Sequence, residues 1–260
     1  MAQNEASRGT MESRPIDSRP TRTAESASSI AYELTIVMMP LLAAVFVSDL
    51  LESDRTDLPG GVSVIQGPLP FVGLVMTLGL LWHFSTRRGA TWADFGAERP
   101  ESWPRTILTA LGVSLGVLAA VVVVINPVLN ALSVSERDMT RFDVLYDDLP
   151  NLFVNLPIML ITAGFLEEFV FRGYLINRLL DLQGGATRLT WTIALIGSSV
   201  VFALPHVDQG LEGMIRVGAI GFVFGIAFML VGRKIWPLVL SHAFIDTLDF
   251  ISHYFTEASA

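Results

Sequence analysis

The chain contains no cysteine, which removes disulfides, thiol nucleophiles, zinc-thiolate centres and cysteine lipidation of the chain itself from consideration. Any nucleophile has to be oxygen-based or water. Lysine is nearly absent as well: Lys234 stands alone, and every other basic residue is an arginine. With a formal net charge of -8, this arginine-rich, acidic balance fits a salt-adapted or GC-rich prokaryotic proteome. Long basic runs are missing, the longest being the pairs Arg87-Arg88 and Arg233-Lys234, so nothing suggests a nucleic-acid surface. Charged residues make up only 16% of the 260 positions and hydrophobic ones 52%, with a mean hydropathy of +0.54. That is more apolar surface than a soluble domain of this length can hide. The chain reads as an integral membrane protein.

Residues 1–28 are rich in Ser, Thr, Arg and Glu and lack an apolar run, so they cannot offset their ordering entropy and are expected to form a disordered polar tail. No apolar segment of signal-peptide type precedes the run that begins near Ile30, so the first span is expected to be retained. A bilayer asks for about 20 mostly apolar residues per helix. Runs of that kind fall near 30–51, 69–86, 106–132, 152–180, 190–206, 213–232 and 235–254. They predict an all-α, polytopic transmembrane bundle of about seven spans enclosing an intramembrane cavity. Residues 29–149 are expected to supply the amino-terminal helices and residues 150–255 a catalytic core. Pro150 and Pro157 predict an interfacial turn or a kink at the start of the fourth run, and Asn126-Pro127 a bend or an end in the third. Gly184-Gly185 and Arg233-Lys234 mark short turns between antiparallel neighbours.

Short cytoplasmic loops carry the Arg and Lys excess. With the amino terminus inside, Arg8, Arg14, Arg19, Arg22, Arg87, Arg88, Arg99, Arg105, Arg178, Arg188, Arg233 and Lys234 fall on the cytoplasmic side, and only Arg55, Arg137 and Arg141 on the other. The distribution predicts an integral protein of a prokaryotic cytoplasmic membrane, amino end in and carboxyl end out. Between the second and third runs, Trp92, Phe95 and Trp103 among Asp94, Glu98, Arg99 and Glu101 predict an amphipathic segment lying at the headgroups, its aromatics acting as anchors.

Ionisable groups in the apolar second half gather in the fragments Glu167-Glu168-Phe-Val-Phe-Arg172, Phe202-Ala-Leu-Pro-His206 and His242-Ala-Phe-Ile-Asp246. A charged side chain at membrane depth costs about 2.5–3.5 kcal/mol on insertion scales, so such groups face an interior site. Glu168 and Arg172 stand at i and i+4, where an ion pair lowers the cost of burying both. Glu167 is turned about 100° from Glu168 on a regular helix, which leaves it to face the cavity as a base, while a merely structural Glu-Arg tie remains the plain alternative. His242 shares a face with Asp246, whose carboxylate can orient the imidazole. His206 on its own is equally an interfacial histidine. Glu212 and Arg216 are expected to pair at the start of the sixth helix, and Gly218, Gly221 and Gly225 to permit close helix packing. His83, His253 and Asp249 are assigned no role.

The order and spacing of these fragments resemble the CPBP family, intramembrane proteases related to CAAX prenyl endopeptidases of the Ras-converting type and to bacteriocin-processing and immunity proteins. Glu167-Glu168-x-x-x-Arg172 followed by Gly173-Tyr174-Leu175 is similar to the family's first motif, Phe202-x-x-x-His206 to its second and His242-x-x-x-Asp246 to its third. The resemblance covers about residues 150–250. It implies that Glu167 and His206 activate water, that Glu168 and Arg172 form the structural pair, and that His242 steadies the oxyanion. Asp246 departs from the Asn common in the family, and an ionised carboxylate cannot donate to an oxyanion, so Asp246 is read as orienting His242 or remaining protonated.

The resemblance implies hydrolysis of a peptide bond in a membrane-associated protein or peptide, with no cofactor in the preferred reading. An alternative places Zn²⁺ on Glu167, His206 and His242 with one position open for water. A non-catalytic immunity or scaffold protein and a proton-coupled transporter are the rival classes. The bilayer is the expected partner, and oligomeric state is not read from the sequence. One geometric demand follows: His206 lies far along its run from Arg188 whereas His242 lies close to Lys234, so the fifth helix must tilt, start late or curl back at Pro205 for the two to meet.

Overall fold

The computed structural model describes residues 25–51, 56–58, 61–65 and 67–256. The expected tail lies outside the described residues up to position 24, and α1 (Ala27–Leu50) already begins at Ala27, where the Ser26 hydroxyl accepts from the Ser29 amide. Helix α2 spans Pro68–Arg87 and packs closely on α1 at Gly73, where a Cβ would lie 2.5 Å from that of Ala44. Between α1 and α2, β1 (Thr56–Asp57) pairs antiparallel with β2 (Ser63–Val64), a feature absent from the expected all-helical pattern.

The third expected helix forms as α3 (Trp103–Ala120), a π turn over Val121–Ile125 and α4 (Asn126–Ala131). Asn126-Pro127 follows the π turn directly, and the helix runs on through it to Ala131. The fourth is α5 (Leu149–Met159), a π-helical stretch over Leu160–Ile176 and α6 (Asn177–Leu182). Asp148 caps its start by accepting from Asn151, and Pro150 lies in its first turn. Widened turns are frequent at functional sites, and this stretch contains the first charged fragment, which a regular α-helix was expected to carry.

Helix α7 (Arg188–Ala203) opens on a reciprocal cap between Thr187 and Thr190. It ends in a tight turn at Leu204–Gln209, and α8 (Gly210–Leu230) returns along it. The reversal shows in the pairing of neighbours: Gly225 faces Leu195, Gly221 faces Phe202 and Gly218 faces Ala203, so the expected glycines do allow close approach. Helix α9 (Trp236–Phe255) follows a turn at Gly232.

Among the described residues, five helical stretches are long and apolar enough to cross a membrane: Ala27–Leu50, Pro68–Arg87, Trp103–Ala131, Leu149–Leu182 and Arg188–Leu230. The last of them contains the α7–α8 hairpin, and α9 is not among them, since His242, Asp246, Asp249 and His253 dilute its apolar character. The core gathers around Val170, Phe171, Tyr174, Phe224, Phe228, Ile235 and Leu238, all close to fully buried, with many apolar side chains left outward-facing on α1, α2 and α3. Such an outward apolar face suits lipid rather than water.

The segment expected to float at the headgroups is docked instead. Phe95, in the 3₁₀ turn Trp92–Phe95, is buried with its ring 4.9 Å from that of Phe169, while Trp92 and Trp103 remain exposed. Gly173 makes room for it, since a Cβ there would lie 2.8 Å from the Phe95 carbonyl oxygen. Arg178, expected as a loop charge, is buried with Glu33, and Arg88 is half-buried beside them: both arginines pair with Glu33, and the Tyr174 hydroxyl donates to it at 2.9 Å.

Candidate active site

The π-helical stretch brings Glu168 and Arg172 into the middle of the bundle, where both are essentially inaccessible and joined at 2.9 Å. The Arg172 guanidinium also donates to the Gly221 carbonyl at 3.3 Å and lies 4.4 Å above the Phe202 ring. A desolvated cation over an aromatic face gains about 2 kcal/mol, which helps offset removing the charge from water. The expected pair is thus present, and it ties the first fragment to α7 and α8.

Glu168 has a second partner. Its Oε1 accepts from His242 Nδ1 at 2.8 Å, so Nδ1 carries the proton and the ring is held by the first fragment rather than mainly by its own helix neighbour. Asp246 Oδ2 lies 3.4 Å from His242 Nε2, flanking the opposite nitrogen. The expected role of Asp246 as the orienting carboxylate therefore falls chiefly to Glu168. The approach that allows it comes from Gly164, where a Cβ would lie 3.3 Å from that of Ala243.

His206 sits in the turn after α7, at φ −108° and ψ 25°, outside helical geometry. This turn answers the depth demand: the chain leaves the helix at Pro205, and the histidine faces inward. Its Nδ1 donates to the Phe202 carbonyl at 3.0 Å, leaving Nε2 as an acceptor.

Glu167, His206, His242 and Asp246 line one cavity of about 530 Å³. Glu167 and His206 also face a smaller cavity of about 130 Å³ bounded by Leu41, Val45 and Leu74 of α1 and α2. Glu168 stays outside both walls and acts through His242. Arg137 and Arg141, from the loop between α4 and α5, complete the wall of the larger cavity. Arg141 is paired with Asp208, and Arg137 Nε donates to Gln209 at 2.8 Å. Burial, with Arg216 and Arg141 nearby, holds the Arg137 guanidinium below its ordinary pKa. The sequence pointed to neither arginine as a site residue, because their loop is remote in sequence from all three fragments. The expected Glu212–Arg216 pair forms, Nε to Oε1 at 2.8 Å, and Arg216 also reaches Asn126.

Among the described residues no group of three or more His, Asp or Glu side chains is gathered closely enough to hold a metal ion. Glu167, His206 and His242, as placed, share a wall without forming a ligand cluster.

Residues 149–248 match the family model described as type II CAAX prenyl endopeptidase Rce1-like. This stretch is similar to that family's domain. No curated protein and no solved structure matches the chain. The matched stretch contains every residue of the three fragments, while the segments before it supply Glu33, Phe95 and the outer wall of the smaller cavity.

Proposed function

We propose that the chain is an intramembrane endopeptidase in which Glu167 and His206 activate water for attack on a peptide bond of a membrane-associated protein or peptide. The observation that carries the reading is the shared cavity wall formed by Glu167, His206, His242 and Asp246, with His242 tethered to the buried Glu168–Arg172 pair. Glu167 is the acceptor for the water proton, and His206 Nε2 offers a second acceptor because its Nδ1 is committed to Phe202.

The tetrahedral intermediate places negative charge on the former carbonyl oxygen. His242 Nε2 is the nitrogen of that ring available to meet it. Since Glu168 can only accept at Nδ1, donation from Nε2 requires the imidazolium, which Glu168 and Asp246 on either side are arranged to stabilise. The proton held by Glu167 then passes to the leaving amine. Arg172 donates to the same Glu168 oxygen and so helps to fix the carboxylate that holds the ring.

The basic residues at the end of the bundle holding Arg87, Arg88, Arg99, Arg105, Arg188, Arg233 and Lys234 support an orientation with that end and the amino terminus in the cytoplasm of a prokaryote. The decisive experiment reconstitutes the full chain in vesicles with membrane-anchored peptide reporters and compares it with Glu167→Gln. Cleavage by the parent and none by the variant is expected, both inserting alike. Equal cleavage by the two defeats the proposal.

A further inference from the structure

A third cavity, of about 780 Å³, opens at the end of the bundle where α3 and α9 begin, apart from the three fragments. Its wall includes Arg99, Arg105, Arg233 and Lys234. Among the described residues none of these four cations has a carboxylate within ion-pair distance, although Glu98 and Glu101 line the same cavity. Arg99, Arg105 and Lys234 are exposed, and Arg233 lies over the Trp191 ring at 5.1 Å. Buried arginines elsewhere in the bundle are paired with acids, so unpaired cations collected around one concavity mark a place short of negative charge.

The frame of this cavity is rigid. The Ile235 amide donates to the Gly96 carbonyl at 3.0 Å, and the Trp236 indole donates to that of Ala97 at 3.3 Å. At Gly96, with φ 68°, a Cβ would lie 1.8 Å from the Arg233 carbonyl oxygen, so only glycine lets the two segments close. Helices α3 and α9 both start here, adding two positive dipole ends to the cations. Trp92 and Trp103 are exposed, and the Trp103 and Trp236 rings meet edge to face at 5.7 Å. Indoles at helix ends mark headgroup depth.

We propose that this pocket binds the phosphate headgroup of an anionic phospholipid. Phosphate accepts from arginine forks and from lysine, and the surrounding indoles suit the glycerol and upper acyl region. The site stands apart from the proteolytic reading and survives its failure.

The test reconstitutes the full chain in phosphatidylcholine discs containing phosphatidylglycerol and counts the anionic lipids that survive delipidation by native mass spectrometry. Arg105→Gln with Lys234→Gln is compared with a charge-matched control, Arg87→Gln with Arg188→Gln, at the same end of the bundle but off the pocket wall. About 1 kcal/mol for each basic residue near an anionic surface corresponds to roughly thirty-fold weaker retention for the pocket pair. The control should change far less, and Arg99→Lys with Arg105→Lys should keep most of the binding. Equal losses in both pairs, retention of phosphatidylcholine as strong as that of phosphatidylglycerol, or inorganic phosphate displacing the lipid at equal concentration would each overturn the proposal.

Discussion

Two buried charge clusters sit in this bundle, and they are built to different ends. Around Glu33, one carboxylate is saturated: Arg88 and Tyr174 meet Oε1 and Arg178 meets Oε2. Around Glu168, Oε1 accepts from both Arg172 and His242, while Oε2 has no hydrogen-bond partner among the described residues. Neither carboxylate lines a cavity, yet the second cluster hands its orientation to a histidine that does. A saturated cluster holds helices together; a cluster with one arm extended to a cavity wall also orients a side chain there. The contrast also separates the regions of the chain, since Glu33 lies before the stretch that matches the Rce1-like family model and Glu168 within it.

Substitutions should break the two clusters in different ways. The largest effect is expected at the cavity: Glu167→Gln should lower the cleavage rate by about 10²–10⁴-fold, the usual share of a general base, with the melting temperature unchanged. A purely structural Glu167 would reverse that pattern.

Next in size, removing one partner of a buried ion pair costs about 3–5 kcal/mol, because the remaining charge is left unpaired. Glu33→Ala and Glu168→Ala should both lower thermal stability on that scale. Only Glu168→Ala should also reduce kcat in molecules that remain folded at low temperature. If both variants keep parental kcat when folded, the distinction between the clusters collapses.

Smaller still, Tyr174→Phe removes one hydrogen bond to a charged acceptor and should cost about 1.5–3 kcal/mol of stability without touching turnover per folded molecule. The smallest change is expected from a chelator: cleavage by the purified chain should persist in its presence, in keeping with the scattered placement of Glu167, His206 and His242. Loss of activity restored by Zn²⁺ would instead favour the metal-assisted route.

Much of the helical layout was legible because apolar run length maps directly onto helix length in a bilayer. The run near 30–51 became Ala27–Leu50 and that near 69–86 became Pro68–Arg87. The Glu168–Arg172 pair was legible for a similar reason, since i and i+4 share a face whether the turn is regular or widened. The π-helical stretch was not, because turn widening is decided by packing on neighbouring helices rather than by propensity. Neither was the short hairpin: Ser63 and Ile65 are held by Asn151 and Asn155, residues remote in sequence whose amides satisfy its backbone.

Phe95 shows how a correct composition can mislead. An aromatic among charges reads as a headgroup anchor, yet Gly173 opens a slot that buries it against Phe169. Glu33 was missed for the opposite reason: a single acid near the start of an apolar run carries no motif, and its partners come from α2 and the far end of the fourth long helix.

Composition and spacing alone determined that the chain is suited to a membrane, that it offers no thiol and which few ionisable side chains stand against the hydrophobic background. These follow from residue chemistry and from periodicity along one helix. Tertiary structure alone decided that the chain turns at Pro205 so that His206 faces the cavity shared by Glu167 and His242, and that Glu168 rather than Asp246 chiefly holds the His242 ring. Contacts between helices depend on how their faces pack, and no local pattern in a sequence encodes that distance.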